Sequence, residues 1–350
     1  LKNTDNMIFR QFSVSPSFAG GDGGTIISLS PSSGGSSRNI MLRDLKIFAV
    51  PREVAAQWGS SQWLDLKNPE TDAIKVSGNT DDGESTENLQ IIGNEIFVVQ
   101  NGLNIGDDDV SARDNSIDAY LNDGIKVGNN DIFLENNVLT NVVVVSGDTA
   151  HHDAVQLGGS SVKNNIIIRS TKVLYKTASH INPLYSGSPQ GISQFEDGSG
   201  PTGCTNCIVE NNLVYTHHGH GISFLGPVNS IFRGNTVYGC SGGQETPIRV
   251  RTDMGYTAMN NKVYNNIGKV IMDAGNGNQQ GSNHLLNACS AGESDALQYF
   301  IDHLNLDFHL KTNSPAIDAG NNAQTPPDDF EGDLRPCGSD VDVGADEACP

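Results

Sequence analysis

Glu210-Asn211-Asn212-Leu213-Val214-Tyr215 and, further along, Arg233-Gly234-Asn235-Thr236-Val237-Tyr238 carry the reading that decides the fold. Related copies are Ile92-Gly93-Asn94-Glu95-Ile96-Phe97, Glu135-Asn136-Asn137-Val138-Leu139 and Asn260-Asn261-Lys262-Val263-Tyr264. In Ile168-Arg169-Ser170-Thr171-Lys172-Val173, Thr171 takes the place of Asn. Each copy reads as strand, tight Asn turn, strand. Asn tolerates the left-handed backbone that a sharp corner needs. Stacked Asn side chains can also hydrogen-bond rung to rung. Asn235 and Asn261 match best and are expected to be successive rungs, one coil apart. The longer gap from Asn94 to Asn137 is expected to hold an inserted loop.

A second segment recurs out of phase with the first. It reads Asp72-Ala73-Ile74-Lys75-Val76, Asp123-Gly124-Ile125-Lys126-Val127 and Asp153-Ala154-Val155-Gln156-Leu157. Weaker copies are His220-Gly221-Ile222-Ser223-Phe224 and Thr246-Pro247-Ile248-Arg249-Val250. Alternation of this kind marks short strands with one buried face. Such strands pair with their equivalents one coil away, roughly 4.8 Å apart. The expected architecture is all-β, a single right-handed parallel β-helix with an Asn ladder and inserted loops. One continuous domain is expected, with residues 1–70 as N-terminal cap and first coils, 71–285 as the main coils, and 286–350 as the closing coil and cap. The Gly/Ser-rich run Ser30 to Ser37 reads as loop.

The ladder and short strands resemble the β-helix of pectate and alginate lyases, mannuronan C5-epimerases and related secreted proteins. The end of the chain adds to the resemblance. Ser314-Pro315-Ala316-Ile317-Asp318-Ala319-Gly320, then Asp329-Phe330-Glu331-Gly332-Asp333-Leu334-Arg335-Pro336 and Asp342-Val343-Gly344-Ala345-Asp346-Glu347, is similar to the closing segment of many bacterial β-helix proteins. The resemblance spans about residues 70 to 350 and implies a fold more than a function. The Asp-Pro-His tripeptide of the epimerases is missing, so no catalytic residue carries over from them. His151-His152-Asp153-Ala154-Val155-Gln156 looks like a His-x-Asp-x-x-Gln motif of uncharacterised β-helix proteins.

Charge narrows the partners. The 350 residues carry 21 Lys+Arg against 41 Asp+Glu, a formal net charge of -20. That balance argues against nucleic acid and against an anionic membrane surface. It also repels an acidic polysaccharide, unless a local basic strip or bound cations intervene. No run of 18 or more apolar residues occurs, so no membrane insertion is expected. The chain opens on Leu1 rather than Met, so a secretory leader is read as removed or lying outside the sequence. Six Cys, an even number, fit oxidised pairs in a secreted or cell-surface protein. Their pairing stays open, although Cys337 and Cys349 bracket the last turn. Cys204-x-x-Cys207 reads as a disulfide, free thiols or half a zinc site. No Asn-x-Ser/Thr acceptor is present.

The strand parity places Lys126, Gln156, Ser223 and Arg249 on one outer face, with Arg251 beside Arg249. This basic column suits an extended uronate chain, with cations for carboxylates and amides for hydroxyls. His151-His152 and His217-His218-x-His220 supply five of the nine His, at the start of the same repeated strand. A uronate lyase or C5-epimerase needs a group that neutralises the carboxylate, a base for the C5 proton, and an acid. Lys126, Arg249 or a bound Ca²⁺ can serve as the first. His152, His218 or His220 can serve as the second, and Tyr185, Lys176 or Tyr215 as the third. Asp107-Asp108-Asp109 is a candidate Ca²⁺ loop, without the ligand spacing of a defined one. No other cofactor is expected.

The leading reading is therefore a secreted polysaccharide lyase or epimerase. A hydrolase on the same fold would draw on Asp123, Asp153 and Glu245. A non-catalytic filament or adhesin-like rod, monomeric or associating end to end, is the alternative from another class.

Overall fold

The computed structural model describes every residue except 2, 17–23, 32–34, 68–70, 79–84, 149–150, 160, 176, 178–179, 195–202, 254, 288, 290–294 and 350, together with the side chain of Pro183. Lys176 and part of the Ser30 to Ser37 run therefore lie outside the described residues. The chain packs as two compact units. The first comprises Leu1–Gly158 and Tyr175–Pro189, the second Gly159–Leu174 and Gln190–Pro350.

The first unit winds through three parallel sheets in turn. Asp5–Arg10, Ser36–Arg43, Ser85–Ile92, Val110–Arg113 and Ile132–Glu135 form one sheet. Ser13–Val14, Lys46–Phe48, Glu95–Val99, Ser116–Tyr120 and Val138–Thr140 form the next. The third contains Ile27–Leu29, Asp72–Ser77, Asn101–Gly106, Ile125–Val127 and Asp153–Leu157. Like residues stack coil on coil. Ile74 pairs with Leu103, Leu103 with Ile125, and Ile125 with Val155, and all four are fully buried. Burying a side chain of this size stabilises by about 1.5–3 kcal/mol, and the same column repeats in each sheet. The expected parallel β-helix is therefore present.

The second unit repeats the plan. Its first sheet holds Ile166–Arg169, Ile208–Glu210, Ile231–Arg233, Lys262–Tyr264 and Gln279–Gly281. The second sheet holds Lys172–Leu174, Leu213–Tyr215 and Thr236–Tyr238. Gln190–Gln194, Ile222–Leu225, Pro247–Arg251 and Lys269–Met272 make the third.

The corners explain the sequence motif. Asn136, Ser170, Asn211, Gly234 and Asn265 have positive φ at the corner before the second sheet. Asn165, Asn206, Asn229 and Asn260 have positive φ at the corner before the first. The residue after the second-sheet corner forms the ladder. Asn94 Nδ2 donates to Asn115 Oδ1 at 2.9 Å and Asn115 Nδ2 to Asn137 Oδ1 at 3.0 Å. In the second unit Thr171, Asn212, Asn235, Asn266 and Asn283 stack in sequence.

Two expectations need correcting. Asn235 does not stack on Asn261 but on Asn266. Asn261 follows Asn260 at the other corner and accepts from Ser230 N at 2.9 Å. Both corners require a left-handed residue, so Asn pairs occur at both and the motif alone does not tell them apart. The interval from Asn94 to Asn137 holds a complete further coil, with Asn115 as its rung, rather than an inserted loop.

Inserted segments cover the second sheet. In the first unit the short helices Arg52–Ala55 and Ser60–Asp65 bring Ala55, Trp63 and Leu66 onto Phe97, Val98, Ala119 and Leu121. In the second unit Phe300, Phe308, Phe330, Val343 and Ala345 cover Leu213, Tyr238 and Ile267. The closing segment is pinned by Arg335, whose buried guanidinium donates to the carbonyls of Asp342, Gly344 and Ala345. Disulfides join Cys204 to Cys207, Cys240 to Cys289, and Cys337 to Cys349. Cys204 and Cys207 are thus a bonded pair and not half of a zinc site.

Candidate functional site

The third sheet carries the candidate residues in both units. In the first, Lys126 aligns with Asn104 below and Gln156 above, and both Lys126 and Gln156 are half-buried. Gln156 Nε2 lies 3.4 Å from Asp153 Oδ2. Beside this column Asp72, Asn101, Asp123 and Asp153 stand in register as a second ladder. Asn101 Nδ2 donates to Asp72 Oδ1 at 2.6 Å, and Asp123 N donates to Asn101 Oδ1 at 3.1 Å. The three Asp are essentially inaccessible, at 0, 1 and 1 % exposure. Asp123 Oδ1 is buried without a hydrogen-bond partner among the described residues. Burial first, then neighbouring Asp153, pushes the Asp123 carboxyl up to about 8. Asp123 is therefore a neutral acid in the interior at pH 7.

His152 sits at the rim of this unit. Its Nδ1 lies 2.5 Å from the Leu121 carbonyl, so that nitrogen carries the proton and Nε2 is the basic one. Nε2 is 3.9 Å from Asp148 Oδ2, and Asp148 forms an ion pair with Lys67. Burial lowers the His152 pKa, while the Leu121 hydrogen bond and Asp148 oppose that. Tyr185 is half-buried, with its hydroxyl 3.4 Å from Ser60 Oγ. The Asp107 to Asp109 carboxylates diverge. Asp107 caps Thr86 N, Asp108 caps Asn130 N, and Asp109 caps Asn88 N. Among the described residues no group of three or more His, Cys, Asp or Glu is placed to hold a metal ion. One carboxylate oxygen of each Asp in the loop therefore accepts from a backbone N–H.

In the second unit, Ser193, Ser223 and Arg249 align on successive coils, with Arg251 two residues beyond Arg249. Arg249 Nη1 donates to His220 Nδ1 at 2.9 Å. The His218 and His220 rings are 5.4 Å apart. Arg251 Nη2 lies 3.5 Å from Asp253 Oδ2. The strand parity puts Ser223 on the outer face, yet it is 0 % exposed. Ser223 Oγ and Arg249 Nε are both buried with no hydrogen-bond partner among the described residues. Leaving such a donor unpaired costs about 1–3 kcal/mol, more when it is charged. Arg249 is pushed down by burial and then by Arg251, with Asp253 opposing, yet a guanidinium keeps its charge in proteins.

Neighbouring groups are already committed. His217 Nδ1 lies 3.0 Å from the Cys240 carbonyl and its Nε2 3.1 Å from the Tyr215 hydroxyl, so this pair ties a loop down. Glu245 faces Lys269 at 3.5 Å. The structure thus brings His218, His220, Ser223, Arg249 and Arg251 together in the second unit. It brings Lys126 and Gln156 together in the first, with His152 and Tyr185 at their own places there. Sequence reasoning missed the Arg249–His220 bond and the Lys67–Asp148–His152 chain. Both join residues far apart in sequence through coil register, which the alternating pattern alone does not supply.

No protein-family model matches the chain, and no curated protein matches it. Among solved structures, the crystal structure of pectate lyase Pel9A is similar, at 13 % sequence identity, covering 97 % of this chain and 87 % of that one with a TM-score of 0.46. No helix among the described residues is long and apolar enough to cross a membrane.

Proposed function

We propose that this chain is a secreted carbohydrate-active enzyme that removes the C5 proton of a uronate residue in an acidic polysaccharide, as a lyase or a C5-epimerase. One observation carries the reading. Two unpartnered buried donors, Ser223 Oγ and Arg249 Nε, stand on adjacent coils beside His218 and His220. Arg249, the half-buried member of the pair, presents a guanidinium that suits a carboxylate, whose two oxygens can both accept from it. Binding the uronate carboxylate there withdraws charge from C5 and makes its proton more acidic.

One imidazole of the pair then takes the C5 proton. In elimination the C5–H electron pair forms the C4–C5 double bond, the C4–O4 bond breaks, and the other imidazole protonates O4. In epimerisation that imidazole returns a proton to the opposite face of C5. Arg249 supplies a local positive charge in a chain of net charge -20, which answers the long-range repulsion of an acidic glycan. The three disulfides support an oxidising, extracellular setting.

The hydrolase reading loses ground on burial. A glycosidic carboxylate pair must face the bond it cleaves, whereas Asp123 and Asp153 are each 1 % exposed and Glu245 faces Lys269.

The test is absorbance near 235 nm during incubation with a panel of uronate polysaccharides, paired with a count of epimerised residues. H218A and H220A are each expected to lower turnover by roughly 10²–10⁴-fold. If both retain full turnover on a substrate the wild type converts, the His pair is not the site.

A further inference from the structure

The guanidinium of Arg249 has two separable edges. Nη1 reaches His220 Nδ1 at 2.9 Å. Nε, on the edge shared with Nη2, is buried with no partner among the described residues. A guanidinium has five donors and no acceptor, so its bond to His220 can run only one way, with Nδ1 accepting. The imidazole of a neutral His carries one proton, and that proton must then be on Nε2. Protonating Nδ1 as well would set an N–H against the guanidinium N–H, so the doubly protonated ring is disfavoured.

We propose that Arg249 is a two-sided positioning residue: one edge holds His220 as the neutral Nε2–H tautomer, the proton donor of the pair, while the Nε edge grips a free uronate carboxylate. The inference rests on the proposed uronate site and adds two things to it. It divides the labour: His218 takes the C5 proton and becomes an imidazolium, His220 gives up its Nε2 proton and becomes an imidazolate held against the Arg249 guanidinium, and a proton passed back from His218 to His220 resets the pair. It also names the substrate form, an unesterified uronate, since a methyl ester offers the Nε edge one weak carbonyl acceptor in place of two charged oxygens. Substrate binding then leaves the Arg249–His220 bond intact, so the donor tautomer survives into the complex. The surrounding charges fit this division. Arg251 is engaged with Asp253, and Glu245 with Lys269. Arg249 is in contact with the imidazole through Nη1.

The test is long-range ¹H–¹⁵N correlation of the histidine rings in the intact protein at pH 7, with the His220 signals assigned through H220Q. Galacturonate and its methyl ester serve as probes. The expected spectrum shows His220 neutral with the proton on Nε2, unchanged when galacturonate is added. In R249Q, with folding checked by circular dichroism, the signals move toward a mixture of tautomers. Galacturonate binding weakens by roughly tenfold or more, as loss of a charged two-point contact implies, while binding of the methyl ester changes little. R249K keeps one donor for Nδ1 and loses the fork, so it restores the tautomer but not the grip. A His220 protonated on Nδ1, a tautomer indifferent to R249Q, or equal loss of both probes overturns the proposal. The ring spectra need no turnover. An inactive protein with the expected spectra would therefore sink the proposed chemistry and leave the role of Arg249 standing.

Discussion

Replacing Asp123 by Asn removes a buried proton from the first unit without changing the shape of the side chain. Asp123 has an ordinary value near 3.8 in the unfolded chain and about 8 in the fold, through burial and then through Asp153. Between those values the folded state holds a proton that the unfolded state has released. Stability from this group is therefore greatest below pH 4 and declines as pH rises toward 8, by about 1.4 kcal/mol per pH unit. The full window from 3.8 to about 8 gives an upper bound of about 6 kcal/mol. Lys126 lowers the cost and Asp72 raises it. Nearby Tyr120 is itself pushed far up by burial and then by Asp153, Asp123 and Asp118, so it stays neutral. The D123N variant would keep the backbone bond to Asn101, and its amide could donate where the carboxyl must stay protonated. Thermal melts of wild type and D123N from pH 4 to 9, followed by circular dichroism, read the difference. The two should coincide near pH 4, and D123N should become the more stable by a few kcal/mol at pH 8. A D123N that is less stable than wild type at pH 8, or that shows the same pH slope, would mean that Asp123 is ionised in the fold and held by Lys126.

Other expectations are as direct. Burial pushes His309 down, but the hydrogen bonds it donates to Glu331 and Asp307 raise it to about 9; the stability it contributes is complete below pH 6.5 and lost as pH passes 9, and H309Q should flatten melts over that window. Asn235 is fully buried, donates to the Val209 carbonyl and accepts from Asn212. N235A should cost roughly 2–4 kcal/mol in urea titrations, since it leaves several buried backbone groups unpaired; a cost under about 0.5 kcal/mol would demote the ladder. The Cys240–Cys289 bridge has a sequence separation of 49, so its removal in C240A/C289A should cost about 4 kcal/mol by the loop-entropy relation. An unchanged denaturation midpoint would contradict that.

The fold is legible in the sequence because two signals agree. Alternating apolar residues such as Ile125 and Val127 mark the strands, and left-handed Asn positions mark the corners. Coil register is less legible. The corners before the first and second sheets use the same residue types for the same steric reason, so the motif pairs Asn261 with the wrong partner. Arg113-Asp114-Asn115-Ser116-Ile117 passes for a loop because its Asp and Ser hide a rung. The candidate site is half legible. Parity places Ser223 and Arg249 in one column, and the two are register partners on adjacent coils. Parity puts Asp72, Asp123 and Asp153 on the inward side with Ile74, Ile125 and Val155, so their burial is within its reach, whereas Ser223 has outward parity and its 0 % exposure is not. The Arg249–His220 bond depends on the angle of a side chain at a corner, a quantity that no periodicity encodes.

Incubation of the protein in D₂O with uronate polysaccharides, followed by ¹H NMR of the sugar, tests the central claim most directly. Proton abstraction at C5 is expected to erase the H5 signal as turnover proceeds, with a new olefinic H4 signal for a lyase, or deuterium at C5 of the inverted sugar for an epimerase. New reducing ends with H5 fully retained would contradict it and indicate hydrolysis, and a panel left wholly unchanged would contradict any action on uronates.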